Sequence, residues 1–575
     1  MKAIKYIPAK NRSLVVILSI SGVLFLLIFL YFKNVEMEQN NIPVEICESL
    51  PIPVFSVPEG IYDQSFELEI FAPNGYAIFY TTDGSTPSIH SKQYKKPIKV
   101  NPQVNLNREI LNVATSITWQ PPVGKQNHST VMRARCFKNG EGYGKIKNVI
   151  YNTSTIEQHK DFQVVHILIE ADSLFHPVRG IYILGEKYYS KRAMIKLKQK
   201  KSMPQNIMWS SAPANYHQRG VEWARPAVLI LIDKSGKTMF EQNITIRTHG
   251  LSSRAYPEKS LRIISDSLFH YSFFDYLPYQ TFKRILLRNS GQDISWTLFR
   301  DAMLHELVMK SGEIDLDIQA YVPSVLYING NYWGIHNIRE KQDEDHLSIK
   351  YGSSTKEINI IEHSDYQWIL HFGDYHALQS FEELIKYINE NDLNNDNSYQ
   401  HVCSQMDIDN FIDYVIVQTY FANIDWAVNN MKLYRIDAQT ETMKQQNIEA
   451  GKWRWFFYDL DAAMINPPSF NMFDYLNSVR DFAFITPMFW GLMENSLFKE
   501  KFLKRYEFII ENCFDPEKLV QHIESFEKRY ETEIERQVAR WRRPPLVQRW
   551  RSKVNDMKVF ARERPDFVKE QLKDL

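Results

Sequence analysis

The sequence predicts a multidomain protein: an N-terminal transmembrane helix, a small all-β sandwich, and an α+β domain whose C-terminal part is helical. Three observations carry that fold class. Residues 14–32, LVVILSISGVLFLLIFLYF, form an uncharged run of 19. Residues 52–155 break into short alternating runs separated by turn residues, the pattern of a small sandwich. From residue 160 onward strand-like and helix-periodic stretches mix, and 575 residues exceed what a single core usually serves.

The first segment, 1–34, reads as a cytoplasmic stub and an uncleaved anchor. At about 1.5 Å per residue the apolar run nearly spans a hydrocarbon core. Lys2, Lys5, Lys10 and Arg12 precede it and the first acidic residue is Glu36, so the basic flank stays inside and the bulk of the chain lies outside the cytoplasm. A cleaved signal peptide is the competing reading, but no small-x-small site follows the run. Residues 35–51 form a polar linker.

Within 52–155, SFELEIFA, AIFYTTDGSTPS, KPIKV and VMRARCF alternate, and Asp83-Gly84 followed by Thr86-Pro87 marks a tight turn. "IFYTTDGSTPS" followed by "VMRARCFKNG" resembles the small domain at the C-terminus of chitobiases and hexosaminidases. That resemblance implies an accessory module of extracellular proteins, acting as a rigid spacer or binding a surface polysaccharide.

Residues 160–575 form the third segment. DFQVVHILIE, EWARPAVLILID and QNITIRTHG are strand-like, WTLFRDAMLHELVMKSG has helical spacing with a Gly stop, and Asn329-Gly330 joins two apolar runs as a hairpin. Beyond residue 375 the pattern is mostly helical, with one further hairpin at 431–463. Lys plus Arg equals Asp plus Glu at 68 each, which removes the electrostatic case for a nucleic-acid partner. Cys47, Cys136, Cys403 and Cys513 form no CxxC pair, so neither a zinc site nor a disulfide framework is signalled.

A strand with a Gly/Ser/Arg/Lys loop, a helix, a hairpin, a helical section, an Asp-x4-Asn segment and a strand ending in Asp-x-Asp is the order of parts in protein-kinase-like folds. The motifs are IRTHGLSSRAYPEKSLRI (246–263), LLRNSGQDISWTLFRDAM (286–303), VLYINGNYWGIHNIREKQDEDHL (325–347), NIDWAVNNMKLYR (423–435) and WRWFFYDLDAAM (453–464). Together they resemble the spore-coat CotH kinase family. The resemblance implies an atypical kinase-like domain that uses ATP with Mg²⁺ or Mn²⁺ and phosphorylates Ser or Thr of partner proteins.

Each motif also has a reading of its own. Arg247, Arg254, Lys259 and Arg262 lie with Gly250, Ser252 and Ser253 in one stretch that could wrap a triphosphate, unless it is a solvated hairpin edge. Lys259 is the expected phosphate lysine, with Arg247, Ser253 and Arg254 beside it; no GxGxxG is present. Ser295 reads as a helix cap, and Arg300 and Glu306 fall on different helix faces, Arg300 being favoured for the nucleotide. Glu340 sits where backbone would meet the adenine, or is a surface charge.

Asp425 is expected to accept the proton of an attacking hydroxyl, since the strand-like KLYRI leaves little room for a helix that it would cap. Asn430 is the expected metal ligand with Asn429 as its rival. Asp459 and Asp461 alternate on a predicted strand and so project from one face as a carboxylate pair for the metal, Asp459 first. The family usually has Trp at the position of Tyr458. A glycosidase would also use paired carboxylates, and a metallohydrolase lacks its His spacing here. The serious alternative is a non-catalytic surface adhesin or pseudokinase. The basic helical stretch 536–554 reads as a solvated face or a dock for an anionic polymer. The expectation is an extracytoplasmic, single-pass protein Ser/Thr kinase acting on a surface or secreted protein.

Overall fold

The computed structural model describes residues 50–190, 210, 212–364, 367–480 and 485–575. The apolar run 14–32 and Cys47 lie outside the described residues. Among the described residues no helix is long and apolar enough to cross a membrane.

The N-terminal module is built on β-strands, with a long irregular excursion, residues 101–129, between two of them. Its five-stranded sheet is built mainly on the hairpin Thr130–Lys138 and Glu141–Asn152, with Ala77–Thr81 next to it. The short ladder of Phe66–Leu68 with Ile98–Val100 packs over that sheet, and Leu68, Val100, Met132, Val149 and Tyr151 close a core between the two layers.

The second part is organised around a nine-stranded sheet. Its strands along the chain are β1 (Gln163–Leu168), β2 (Arg225–Ile232), β3 (Thr238–Thr248), β4 (Leu261–His270), β5 (Thr281–Arg288), β6 (Tyr321–Val322), β7 (Ser324–Ile328), β8 (Asn331–Ile335) and β9 (Asn337–Glu340). In space the order is β6-β9-β5-β4-β3-β2-β1-β7-β8. The expected hairpin is β7–β8, where Asn329 and Gly330 take φ of 49° and 81°, the left-handed pair a two-residue turn requires.

The two faces of this sheet differ. On one, Val165, Ile167, Leu229, Leu231, Ile246, Ile263, Ile285, Leu287 and Ile338 make a continuous apolar core. On the other, β1, β2 and β7 present Val164, Leu168, Val228, Ile230 and Val325 to the helical part. There β3–β5 carry charge instead: the register sets Arg247 opposite Arg262, Arg262 opposite Leu286, and Leu286 opposite Arg339. Side chains alternate along strands, so Arg284 and Arg288 share that face with Leu286. The stretch 246–263 is therefore interior strand and loop, not a solvated hairpin edge.

Helix α1 (Arg300–Ser311) ends at Gly312 with φ 67°, as its Gly stop predicts. A second sheet pairs Ile358–Ser364 with Gln367–Phe372 and with Lys432–Ile436, which in turn pairs Arg454–Trp455. The helix Ile408–Tyr420 runs buried through the helical part, and the chain closes with Pro516–Glu531, Ile534–Trp541 and Val547–Gln571. The stretch 536–554 is two-sided: Arg540, Trp541 and Trp550 are buried, whereas Arg542, Arg549 and Arg551 are exposed.

Candidate active site

Asp425 lies in an irregular segment after Ile408–Tyr420. No helix follows it, so its carboxylate caps nothing. Left-handed residues shape this segment, Ala427 at φ 78° and Asn430 at φ 58°. The Asn429 side-chain amide donates to Asp425 Oδ1 at 2.9 Å, and that of Asn430 donates to Oδ2 at 2.8 Å. Burial, helped by the nearby Asp459, raises the Asp425 pKa, and the two amides pull it back. The result is a carboxylate with a higher proton affinity than a surface aspartate has, the property a general base needs.

Asp459 and Asp461 do not alternate on a strand, as expected above. The strand ends at Trp455, and Asp459 takes φ 60°, which turns the chain. The Leu460 amide between them donates to Asp301 Oδ1 at 2.9 Å. The carboxylates are nevertheless joined: the Arg288 guanidinium is bonded to Asp459 and lies 3.6 Å from Asp461. Burial lowers the Arg288 pKa, but Asp459, Asp301 and Asp461 outweigh it and hold the charge. Asp461 is buried, and burial together with Asp459 pushes its pKa well up. Its Oδ2 accepts the Gln292 backbone N–H at 2.6 Å, whereas its Oδ1 is buried without a hydrogen-bond partner among the described residues.

That orphaned oxygen tests the expected metal. Two carboxylates and the neutral amide oxygen of Asn430 would offer oxygen donors of the kind a hard divalent cation takes, with water and phosphate oxygens as its other ligands. Among the described residues no group of three or more His, Cys, Asp or Glu forms a closed metal cluster. The residues present fit a cation shared with a phosphate ligand.

The gaps in the sequence reading are instructive. Lys259 is not presented to the acids: it is fully buried, and its Nζ donates to the carbonyls of Thr115 at 2.9 Å and Tyr256 at 2.6 Å, over the Tyr216 ring at 4.1 Å. Burial lowers its pKa strongly. Arg254 donates to the carbonyls of His217 and Gln218, and Ser253 lies in the short helical turn Ser252–Ala255. Arg300 is buried behind the site, donating to the Asp461 carbonyl at 3.2 Å. Glu340 is neither at the surface nor free, since Tyr279, the Ala320 amide and His346 surround its carboxylate. Ser295 does not cap α1; Asp293 does that work by accepting from Thr297 and from the Arg300 amide. Glu306 pairs with Lys310.

Arg247 does lie on the charged sheet face, beside Arg262, and its Nε is buried without a hydrogen-bond partner among the described residues. Sequence reading missed His249, Lys341 and Lys432 on the same side. Burial lowers the pKa of all three, and each feels other members of the cationic group. The Lys341 and Lys432 ammonium groups converge on the Gln342 carbonyl, at 3.0 and 3.3 Å. It missed Asp301 too, which binds Arg339 and tethers Leu460.

A cationic sheet face, three aspartates and an asparagine are the kinds of group that phosphoryl transfer uses. The chain belongs to the CotH kinase family: that family, described as CotH kinase protein, matches residues 246–568, more than half of the chain. The family is one of atypical protein kinases, which implies use of ATP. Residues 57–110 match the chitobiase/beta-hexosaminidase C-terminal domain. No curated protein matches the chain.

Proposed function

We propose that this chain transfers the γ-phosphoryl group of ATP to a Ser or Thr hydroxyl of a protein. The observation that carries this reading is the pairing of Asp425, bonded to Asn430, with the Asp459–Asp461 couple whose one carboxylate oxygen is buried and unsatisfied. Asp425 takes the proton as the hydroxyl oxygen bonds to the γ-phosphorus. The bond from that phosphorus to the β-phosphate oxygen breaks, and ADP leaves with the electron pair. Arg247 and Arg262 supply positive charge for the phosphates, His249 and Lys341 stand beside them as hydrogen-bonding groups whose charge burial disfavours, and Arg288 holds the two aspartates in place. Asp459, Asp461 and Asn430 would hold Mg²⁺ or Mn²⁺, which supplies charge neutralisation on the phosphates when bound.

The apolar run 14–32 with its basic flank supports a single-pass anchor with the bulk outside the cytoplasm, and a surface or secreted acceptor follows from that placement. The test is thermal melting of the chain with and without Mg-ATP, together with phosphate transfer to itself and to candidate proteins. A ligand bound only by the folded state stabilises it by about 2.7 kcal/mol at a hundred times its dissociation constant. Asp459→Ala should remove that stabilisation. Asp425→Asn should keep it and lose transfer by about 10²–10⁴-fold. A cooperatively melting wild type that ignores millimolar Mg-ATP would favour a non-catalytic surface protein instead.

A further inference from the structure

The loops behind the aspartates are not held by residues of the family segment alone. Between Ile98–Val100 and Thr130–Lys138 the N-terminal module makes a long excursion, residues 101–129, which runs along the back of two loops of the catalytic domain. At Thr115 the hydroxyl donates to the Pro257 carbonyl at 2.7 Å while the carbonyl accepts from Lys259. Further along, Val123 N–H donates to the Ala539 carbonyl at 2.8 Å, and Gln120 accepts from Arg542 at 2.9 Å. Between these points Arg543 forks: one nitrogen donates to Thr118 Oγ1 at 3.2 Å and another to Ser295 Oγ at 2.9 Å, with the guanidinium 5.2 Å above the Tyr256 ring.

Ser295 ends the turn Gly291–Ser295. That turn sets the Gln292 N–H on Asp461 and brings the Gln292 side chain to 3.5 Å from Asp425. Its other end is held through Asn289, which accepts from Ser260 at 2.7 Å and from the Gly291 N–H at 3.1 Å. Both loops behind the aspartates are thus fastened, directly or through Arg543, to the excursion.

We infer that the excursion is a positioning element of the catalytic centre, with Arg543 and Thr118 as positioning residues that set the Gly291–Ser295 turn under Asp461. The inference rests on the kinase reading. Neither residue touches the aspartates. Arginine is suited to the task because its planar fork addresses two acceptors on separate segments at once, which a lysine cannot do. The N-terminal module is then part of the enzyme's working geometry, and whatever displaces it displaces the turn.

The experiment compares wild type, Thr118→Val, Thr118→Ser, Arg543→Lys and the Thr118→Val/Arg543→Lys pair in the full chain. Hydrogen exchange of peptides covering 289–299 is read beside steady-state transfer. Thr118→Val and Arg543→Lys should each speed exchange of the turn amides and lower kcat by about tenfold, the loss of one charge-assisted hydrogen bond, with KM for ATP nearly unchanged. The pair should match the more severe single variant, because both break one link. Thr118→Ser, which keeps the hydroxyl, should behave as wild type. Unchanged exchange in the turn, or faster exchange spread evenly over the domain with a lowered melting temperature, overturns the inference. Failure of the kinase reading shows separately, as a wild type that Mg-ATP does not stabilise, and exchange still decides whether the excursion sets the turn.

Discussion

Asp461 is held in the site at an electrostatic cost. It is buried, Asp459 repels its charge, and one of its oxygens lacks a partner. A carboxyl whose folded pKa lies above its unfolded value weakens the fold by an amount fully present above the folded pKa. That cost vanishes as pH falls through the folded pKa toward the ordinary value of 3.8. Asp461→Asn should therefore stabilise the metal-free protein at neutral pH, on the order of 1 kcal/mol, with the difference closing on acidification across that window. The same variant should lose stabilisation by Mg-ATP. Melting curves at several pH values, with and without nucleotide, check both halves. Lys259 makes the opposite point: its residue type and neighbours read as a phosphate ligand, yet Thr115, Tyr182 and Tyr216, all distant in sequence, enclose it.

At the scale of elements, the turn Gly291–Ser295 does what a strand was expected to do. It fixes Asp461 by a backbone N–H, and Gly291 allows the approach: at φ 59°, an added Cβ would stand 2.1 Å from Asp461 Oδ2. Gly291→Ala should cost about 1–2 kcal/mol through left-handed strain alone, and push Asp461 off its hydrogen bond. The expected signature is a weaker Mg-ATP stabilisation in a protein that still melts cooperatively; unchanged nucleotide stabilisation would show that the turn tolerates the methyl. Strand parity works at this scale as well. Alternation sends Ile246 and Ile263 to the apolar core and Arg247 and Arg262 to the charged face, so one short motif serves both faces.

For the whole molecule, the family segment begins at residue 246, inside β3, while β1 and β2 lie between β3 and β7 in the sheet. A chain of 246–575 lacks those two interior strands and leaves the ladders of β3 and β7 open. It should be insoluble or fail to melt cooperatively, whereas a chain from residue 50 should fold; circular dichroism and a thermal scan distinguish the two. The module is fastened as well: Ser129 N–H donates to the Gly330 carbonyl at 2.7 Å, and Asn148 donates to Glu241 at 2.7 Å.

Much of this was legible without coordinates. The Asn329-Gly330 hairpin, the Gly312 stop and the order of elements depend on neighbours within a few positions, so local pattern suffices to find them, and the acids Asp425, Asp459 and Asp461 were singled out by the motifs that carry the family resemblance. What only the tertiary structure decided is which charges meet. Arg288, not Lys259, binds the aspartates, Asp301 tethers Leu460, and Asp459 turns the chain instead of extending it. Those outcomes follow from sheet register and from burial that removes water: Arg288 meets Asp459 across 171 positions and Asp301 meets Leu460 across 159, beyond the reach of any local pattern.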